Sequence, residues 1–298
     1  MTTGEMGGGE MGGGGMVADR RPVLVTGGTG KTGRRVAAGL WARGWPVRIA
    51  ARSVAPAADA VRFDWADRAG WPAALDGVGA VYVAYAPDLA VPGAADDITA
   101  FAAAARAAGV GRIVMLSGRG EPGAEAAERA LAAAGQEGAG RDGAGFAWTV
   151  LRASWFVQNF TEGLLADALA AGELALPVGD VPEPFIDADD IAEIAVKALT
   201  EDGLGGRILE LTGPRSLSFA AAMAEISRLT GRPVGYRRIP LADFLAGLQA
   251  QGVPDDMRDF LAWLFTTLFD GRNSATTSTV PEILGRPARD LARCWPAA

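Results

Sequence analysis

Val23-Leu-Val-Thr-Gly-Gly-Thr-Gly-Lys-Thr-Gly33 is the stretch that decides how this chain folds. A short apolar run ends in glycines spaced Gly27-x-x-Gly30-x-x-Gly33, and an alanine-rich segment follows. Glycine lets a backbone approach a phosphate closely. A helix N-terminus adds unpaired N–H groups and the positive end of the helix dipole. Three spaced glycines alone are common. With a strand before them and a helix after, they read as a phosphate cradle for a dinucleotide.

Outward from the cradle, short apolar runs alternate with longer amphipathic stretches. Strands are expected at Val23–Val25, Val47–Ala50, Ala60–Phe63, Ala80–Ala84, Arg112–Leu116 and Trp148–Leu151. Helices are expected at Thr32–Arg43, Ala95–Ala108 and Ala124–Ala134, the first two closed by Gly44 and Gly109, and a glycine-rich loop at Gly135–Gly145. Nearly continuous apolar strands alternating with helices predict an α/β fold, a doubly wound parallel sheet of Rossmann type.

Beyond Arg152 the rhythm loosens. Helices are expected at Phe160–Ala171, Ile191–Leu199, Phe219–Leu229, Leu241–Gln251 and Asp255–Phe269. Short strands fall near Pro184–Ile186, Arg207–Leu211 and Val234–Arg238. The division this predicts is a dinucleotide-binding domain over 21–155, with sheet contributions from 182–212. A smaller, mostly helical substrate-binding lobe takes 156–181 and 213–298. Residues 1–20, where Met1, Met6, Met11 and Met16 recur among glycines, read as a disordered tail, with Met16 a candidate natural start.

Composition narrows the chemistry. A net charge of −7 with no dense basic run argues against a nucleic-acid partner. No apolar run is long enough to span a bilayer and no secretory h-region opens the chain, so a cytoplasmic protein without a membrane partner is expected. Cys294 is the single cysteine and there is no histidine. Disulfides and cysteine-cluster metal sites are thereby excluded, no metal is expected, and the commonest general base is missing.

The second strand should end where a dinucleotide site selects its cofactor. An acidic residue there binds the ribose 2′-hydroxyl of NAD. Here Ile49-Ala-Ala-Arg52-Ser53 carries an arginine, which can hold a 2′-phosphate by charge-assisted hydrogen bonds. Lys31 in the glycine loop is expected to add a second positive charge nearby. The cofactor is therefore expected to be NADPH, with Gly27, Thr29, Gly30, Lys31, Thr32, Gly33 and Arg52 in its site.

A set of motifs in this order resembles one family. Thr26-Gly-Gly-Thr-Gly-Lys-Thr-Gly33, Phe63-Asp64, Ala108-Gly-Val-Gly-Arg-Ile-Val-Met-Leu-Ser117 and Trp148-Thr-Val-Leu-Arg-Ala-Ser-Trp-Phe-Val-Gln-Asn-Phe160 are similar to the atypical short-chain dehydrogenase/reductases of the NmrA-like group. Phe185-Ile-Asp-Ala-Asp-Asp-Ile-Ala192 and Leu211-Thr-Gly-Pro214 extend the match. From Trp148 onward the chain looks most like reductases of the ergot-alkaloid type. The resemblance implies that Asp64 binds the adenine amino group and that Ala84 and Tyr85 pass beside the pyrophosphate and ribose. It also implies that Ser117 lies near the nicotinamide and that Ala153 to Phe156 border its carboxamide.

The chain departs from the superfamily at the catalytic acid. Typical members reduce ketones with a Tyr-x-x-x-Lys pair. Neither Tyr82, Tyr85 nor Tyr236 has lysine four residues on, and Gly120-Glu-Pro-Gly-Ala-Glu125 stands where that pair would fall. Hydride addition to an isolated ketone makes a strongly basic alkoxide, for which a positioned acid is worth ~10²–10⁴ in rate. Iminiums, quinones and ketones beside a phenol relax that need. Ser117 and Tyr85 remain as candidate catalytic hydrogen-bond donors, and Tyr82 reads as core.

Trp155, Phe156, Asn159 and Phe160 are expected to wall the substrate site, which suits a flat aromatic ligand. Trp263, Phe265 and Phe269 read as core or lid packing. Asp187, Asp189 and Asp190 look like an acidic cluster, but Asp190-x-x-Glu193 reads as a helix-capping pattern. The expected function is NADPH-dependent reduction of a carbonyl on an aromatic polycyclic secondary metabolite, a ketoreductase. Reduction of a quinone or iminium, or cofactor binding without turnover as a redox sensor, are the alternatives.

Overall fold

The computed structural model describes residues 20–53, 59–137 and 145–295. The expected tail, apart from Arg20, and 138–144 of the expected glycine-rich loop lie outside the described residues.

The described residues form a seven-stranded, wholly parallel sheet and a separate two-stranded one. The first half of the large sheet is built from β1 (Val23–Thr26), α1 (Gly33–Trp41), β2 (Val47–Ala51), β3 (Ala60–Arg62), α2 (Trp71–Leu75) and β4 (Ala80–Val83). The second half adds α3 (Ala94–Ala107), β5 (Arg112–Gly118), α4 (Pro122–Gln136) and β6 (Ala147–Ala153). Then come α5 (Leu164–Ala170), β7 (Glu173–Leu176), α6 (Ala188–Thr200) and β8 (Arg207–Leu211). The chain finishes with α7 (Phe219–Thr230), β9 (Gly235–Arg238), α8 (Leu241–Ala250), α9 (Asp255–Thr267), α10 (Thr279–Leu284) and α11 (Leu291–Cys294).

Strand order is β3-β2-β1-β4-β5-β6-β8, so the winding reverses between β1 and β4. That is where a doubly wound sheet opens a crevice for ligand. Strands β1 and β4 are buried along their whole length, as apolar strands covered on both faces must be. One face carries α2, α3 and α4 over a core that includes Trp71, Phe101 and Met115. The other carries α1 and α6 over Val36, Leu40 and Ile194. Tyr82 is fully buried between strand and helix, as a core residue.

A third core gathers Phe160, Phe185, Phe219, Met223, Phe244 and Phe265, all from beyond β6. Its elements are mostly helical, with β7 pairing β9 in parallel. It stands at the carboxyl end of β6, joined by the bridge Phe156 to Ile186.

Several elements differ from expectation. The expected helix over 160–171 begins only at Leu164, because Gly163 adopts φ 87° and ψ −151°, a conformation essentially reserved for glycine. Before it, Val157–Asn159 forms one 3₁₀ turn. Glu173–Leu176, where no element is expected, is a strand because β9 supplies its ladder. Pro184–Ile186 makes a single bridge, Ile186 to Phe156, so β8 is what this region adds to the large sheet. α4 runs on to Gln136, into the expected loop.

The capping pattern also moves. Asp187, not Asp190, caps α6, its carboxylate accepting from the Asp189 amide at 2.7 Å. Asp190 is fully buried and takes Arg286 and Arg289, and Glu193 takes the same two arginines at 2.6 Å each. These pairs fasten the segment before α11 to α6.

Candidate functional site

The glycine loop leaves β1 at the reversal point. Thr26 is fully buried, and its hydroxyl receives the Ala84 amide at 2.9 Å, stitching β1 to the end of β4. Gly27 follows with φ 60°. A Cβ built on Gly33 would stand 2.2 Å from the Gly27 carbonyl oxygen, so only glycine permits the loop to close onto α1. Thr32 precedes α1 without a side-chain cap; the Arg34 and Val36 amides bond back to Gly30 and Thr32 at 3.2 and 2.9 Å, which leaves those of Gly33 and Arg35 for another acceptor. Thr29 and Gly30 are exposed on the same turn. An anionic diphosphate fits this cradle by shape and by charge.

Arg52 is exposed one residue beyond β2, at the rim expected for the adenosine ribose. Asp64 follows β3, and its Oδ1 accepts the Ala66 amide at 3.1 Å. Lys31, expected beside Arg52, instead reaches across the cleft: Nζ donates to Asn159 Oδ1 at 2.9 Å. Burial lowers its pKa, with Glu162 opposing and Arg34 and Arg35 adding to the shift.

A cavity of about 300 Å³ opens at the carboxyl ends of β4, β5 and β6. Lys31, Tyr85, Ser117, Ala153, Trp155, Phe156 and Asn159 all line it, so distant sequence positions converge as expected. Phe160 does not. It is 1% exposed, with its ring 5.2 Å from Phe185 and 5.9 Å from Phe219, and packs the lobe core. The 3₁₀ turn rotates it away from Asn159.

Sequence reasoning missed the opposite wall. Phe260, Leu264 and Leu268 on and after α9 line the cavity with Phe269. Their four-residue spacing is the signal that could have found them. Phe265 turns inward instead, against Trp155 at 5.8 Å and Phe244 at 5.1 Å.

The candidate donors are both engaged. Ser117, 4% exposed, donates to Glu128 Oε1 at 2.6 Å. Glu128 is 1% exposed and is held by Arg152. Arg152 bonds onward to Glu210 at 3.1 Å, which Arg119 reaches at 3.2 Å. The Tyr85 hydroxyl donates to Asp97 Oδ2 at 2.7 Å, and its ring lies 4.8 Å from Trp65. Burial and the Asp97 carboxylate raise the Tyr85 pKa.

Two further acids line the cavity. Glu121 sits in the stretch where the usual catalytic pair would fall, 6% exposed. Burial, then Asp88 and Glu128, push its pKa up to about 9, so it is neutral at pH 7. Glu183 accepts the Trp155 amide at 3.1 Å, and burial raises it to about 7. Arg119 donates to the Asn273 and Ala275 carbonyls at 2.7 and 2.8 Å, tying the loop after α9 to the end of β5.

Comparison with known proteins agrees with this geometry. A family described as NAD(P)H-binding matches residues 27–202. The NAD(P)H azoreductase of Xenophilus azovorans is 32% identical over 91% of this chain and 95% of its own. The (4-alkanoyl-5-oxo-2,5-dihydrofuran-3-yl)methyl phosphate reductase of Streptomyces griseus is 34% identical over 92% and 96%. Among solved structures, an Escherichia coli NADPH-dependent quinone oxidoreductase complexed with NADPH superposes with a TM-score of 0.73 at 26% identity. That alignment covers 91% of this chain and 98% of the other. In the described residues no helix is long and apolar enough to cross a membrane.

Proposed function

The chain belongs to the NAD(P)H-binding family and is an NAD(P)H-dependent oxidoreductase, and on that footing we propose that it reduces a carbonyl of a flat, polycyclic aromatic molecule. The proposed cofactor is NADPH, selected by Arg52. Bound in the cleft, it would supply hydride at the substrate carbonyl. The glycine cradle from Gly27 to Gly33 would hold its diphosphate, with Ala84, Tyr85, Ser117 and Ala153 along the path to the cavity.

One observation carries the substrate class. The cavity at the sheet edge is walled by Trp155 and Phe156 on one side and by Phe260, Leu264, Leu268 and Phe269 on the other. Such walls favour a planar apolar ligand. With Ser117 donating to Glu128 and Tyr85 to Asp97, the chain's own hydroxyls are poorly set to protonate an alkoxide. This supports a substrate that carries its own acid, a ketone beside a phenol of the angucyclinone kind. Lys31 in the cavity disfavours an iminium, which is already cationic. A quinone reduced to a hydroquinone anion is the second reading, and the same ammonium favours it.

Anaerobic NADPH oxidation should be followed with an angucyclinone ketone bearing a neighbouring phenol, a naphthoquinone and a cyclic iminium. The ketone is expected to turn over fastest, with product heavier by two hydrogens. NADPH binding without oxidation across the whole panel would point instead to a redox sensor.

A further inference from the structure

Lys31 departs from the role its position suggests. It belongs to the phosphate loop, yet its ammonium lines the same cavity as Leu116, Ser117, Ala153 and Phe156. Asn159, in the 3₁₀ turn of the opposite wall, accepts its hydrogen bond at 2.9 Å. An ammonium has three donors, and among the described residues Lys31 directs one to a protein acceptor, leaving two. Glu162, whose charge acts on Lys31, is already shared by Arg34 at 2.6 Å and Arg35 at 2.9 Å. The other cation of the cavity, Arg119, is engaged by Glu210 and by two main-chain carbonyls. Lys31 is thus the cation with donors to offer a ligand.

We propose that Lys31, steadied by Asn159, stabilises the negative charge that reduction leaves on the substrate oxygen. The inference rests on the reductase reading above and deepens it. Hydride addition places two electrons and one hydrogen nucleus on the carbonyl carbon. The carbonyl π pair moves to its oxygen, which takes the proton of the neighbouring phenol. One O–H bond breaks, another forms, and a phenolate remains until water protonates it on release. A quinone ends as a hydroquinone anion by the same count. In either case one oxyanion forms, and the Ser117 and Tyr85 hydroxyls are both already engaged elsewhere. A preorganised cation there acts in the transition state as an oxyanion hole does. Burial lowers the Lys31 pKa and Arg34 and Arg35 add to the shift, so a developing negative charge beside the ammonium would be favoured there.

The test separates a substrate role from a phosphate role. Lys31→Met is expected to lower kcat by about 100-fold at saturating NADPH. Its NADPH Kd, read from nicotinamide fluorescence, should stay within about three-fold, the reverse of losing a phosphate ligand. Lys31→Arg should recover part of the rate, and Asn159→Ser should lower kcat more weakly than Lys31→Met. A second readout needs no turnover. Alizarin, a hydroxylated anthraquinone whose colour reports its ionisation, is titrated on the cofactor-free protein. The wild type should lower its phenol pKa by about one unit, and Lys31→Met should not. Melting curves confirm that each variant is folded. Retained kcat in Lys31→Met with weakened NADPH binding would overturn the proposal, as would an unchanged alizarin pKa. Failure of the wild type to oxidise NADPH with any acceptor would instead sink the reductase reading, and the alizarin titration would still judge Lys31.

Discussion

Ser117 donates its hydroxyl hydrogen bond to Glu128 across 2.6 Å, inside the sheet face rather than into the cavity it borders. Glu128 in turn is held by Arg152, so an ion pair with a buried carboxylate sits directly behind the β5 end of the cavity. The arrangement makes Ser117 a strut more than a donor. Ser117→Ala is expected to change kcat by less than about five-fold, below the ~10²–10⁴ that loss of a general acid produces. Glu128→Ala should instead destabilise the fold by about 3–5 kcal/mol, by leaving Arg152 without its buried partner. Steady-state kinetics on the first and denaturant melts on the second decide between these roles.

Gly33 tolerates no side chain. With its Cβ position 2.2 Å from the Gly27 oxygen, Gly33→Ala must open the loop. NADPH affinity is expected to fall by about 100-fold or more, since the amides no longer converge on one phosphate. Isothermal titration measures the affinity, and unchanged binding would remove the cradle from its assigned role.

Arg52 is exposed at the end of β2, so its loss should leave stability untouched. Arg52→Ala is expected to shrink the preference for NADPH over NADH by about ten-fold, one charge-assisted contact being worth ~1.5–3 kcal/mol. The ratio of KM values for the two cofactors gives the answer, and an unaltered ratio would place selection elsewhere.

Glu121 makes stability depend on pH. Its folded pKa, about 9, stands above the ordinary 4.5 of the unfolded chain. The folded state therefore holds a proton that the unfolded state releases between those values. Its contribution is complete below pH 4.5 and is lost as pH rises toward 9. Glu121→Gln, which keeps a neutral side chain, should match the wild type near pH 5 and melt higher at pH 9, by roughly 10 °C. Equal melting temperatures at pH 9 would mean that Glu121 ionises normally.

Phe260 faces the cavity from α9, half-buried. Phe260→Ala should raise the KM for a polycyclic substrate by about ten-fold, through lost apolar contact, and leave NADPH binding alone. Parallel titrations of substrate and cofactor check both halves.

Much of this architecture was legible in the sequence, for identifiable reasons. Strands β1, β2, β4 and β5 announce themselves by short apolar runs, and the glycines fix the crevice between β1 and β4. Local signals could not give β7, since Glu173–Leu176 becomes a strand only when β9 arrives from 62 residues away. Nor could they turn Phe160 into the core, because that rotation depends on the 3₁₀ turn and on Gly163. Trp155, Phe156 and Asn159 were found because they directly follow a sheet strand. Phe260, Leu264 and Leu268 were not, because nothing in α9 itself says which helix face the cavity takes. Lys31 was placed by its loop, and the length of its side chain carried the charge to the other end of the site.

Arg119 fastens the loop after α9 through the carbonyls of Asn273 and Ala275. Main-chain oxygens are present whatever the side chains, so this attachment does not constrain the residues around it. Mutation can therefore rewrite the apolar wall at Phe260, Leu264 and Leu268 while its anchorage stays in register. A lineage carrying this fold could change the molecules it accepts by substitutions in and just after α9 alone, with the cavity floor on β4, β5 and β6 inherited intact.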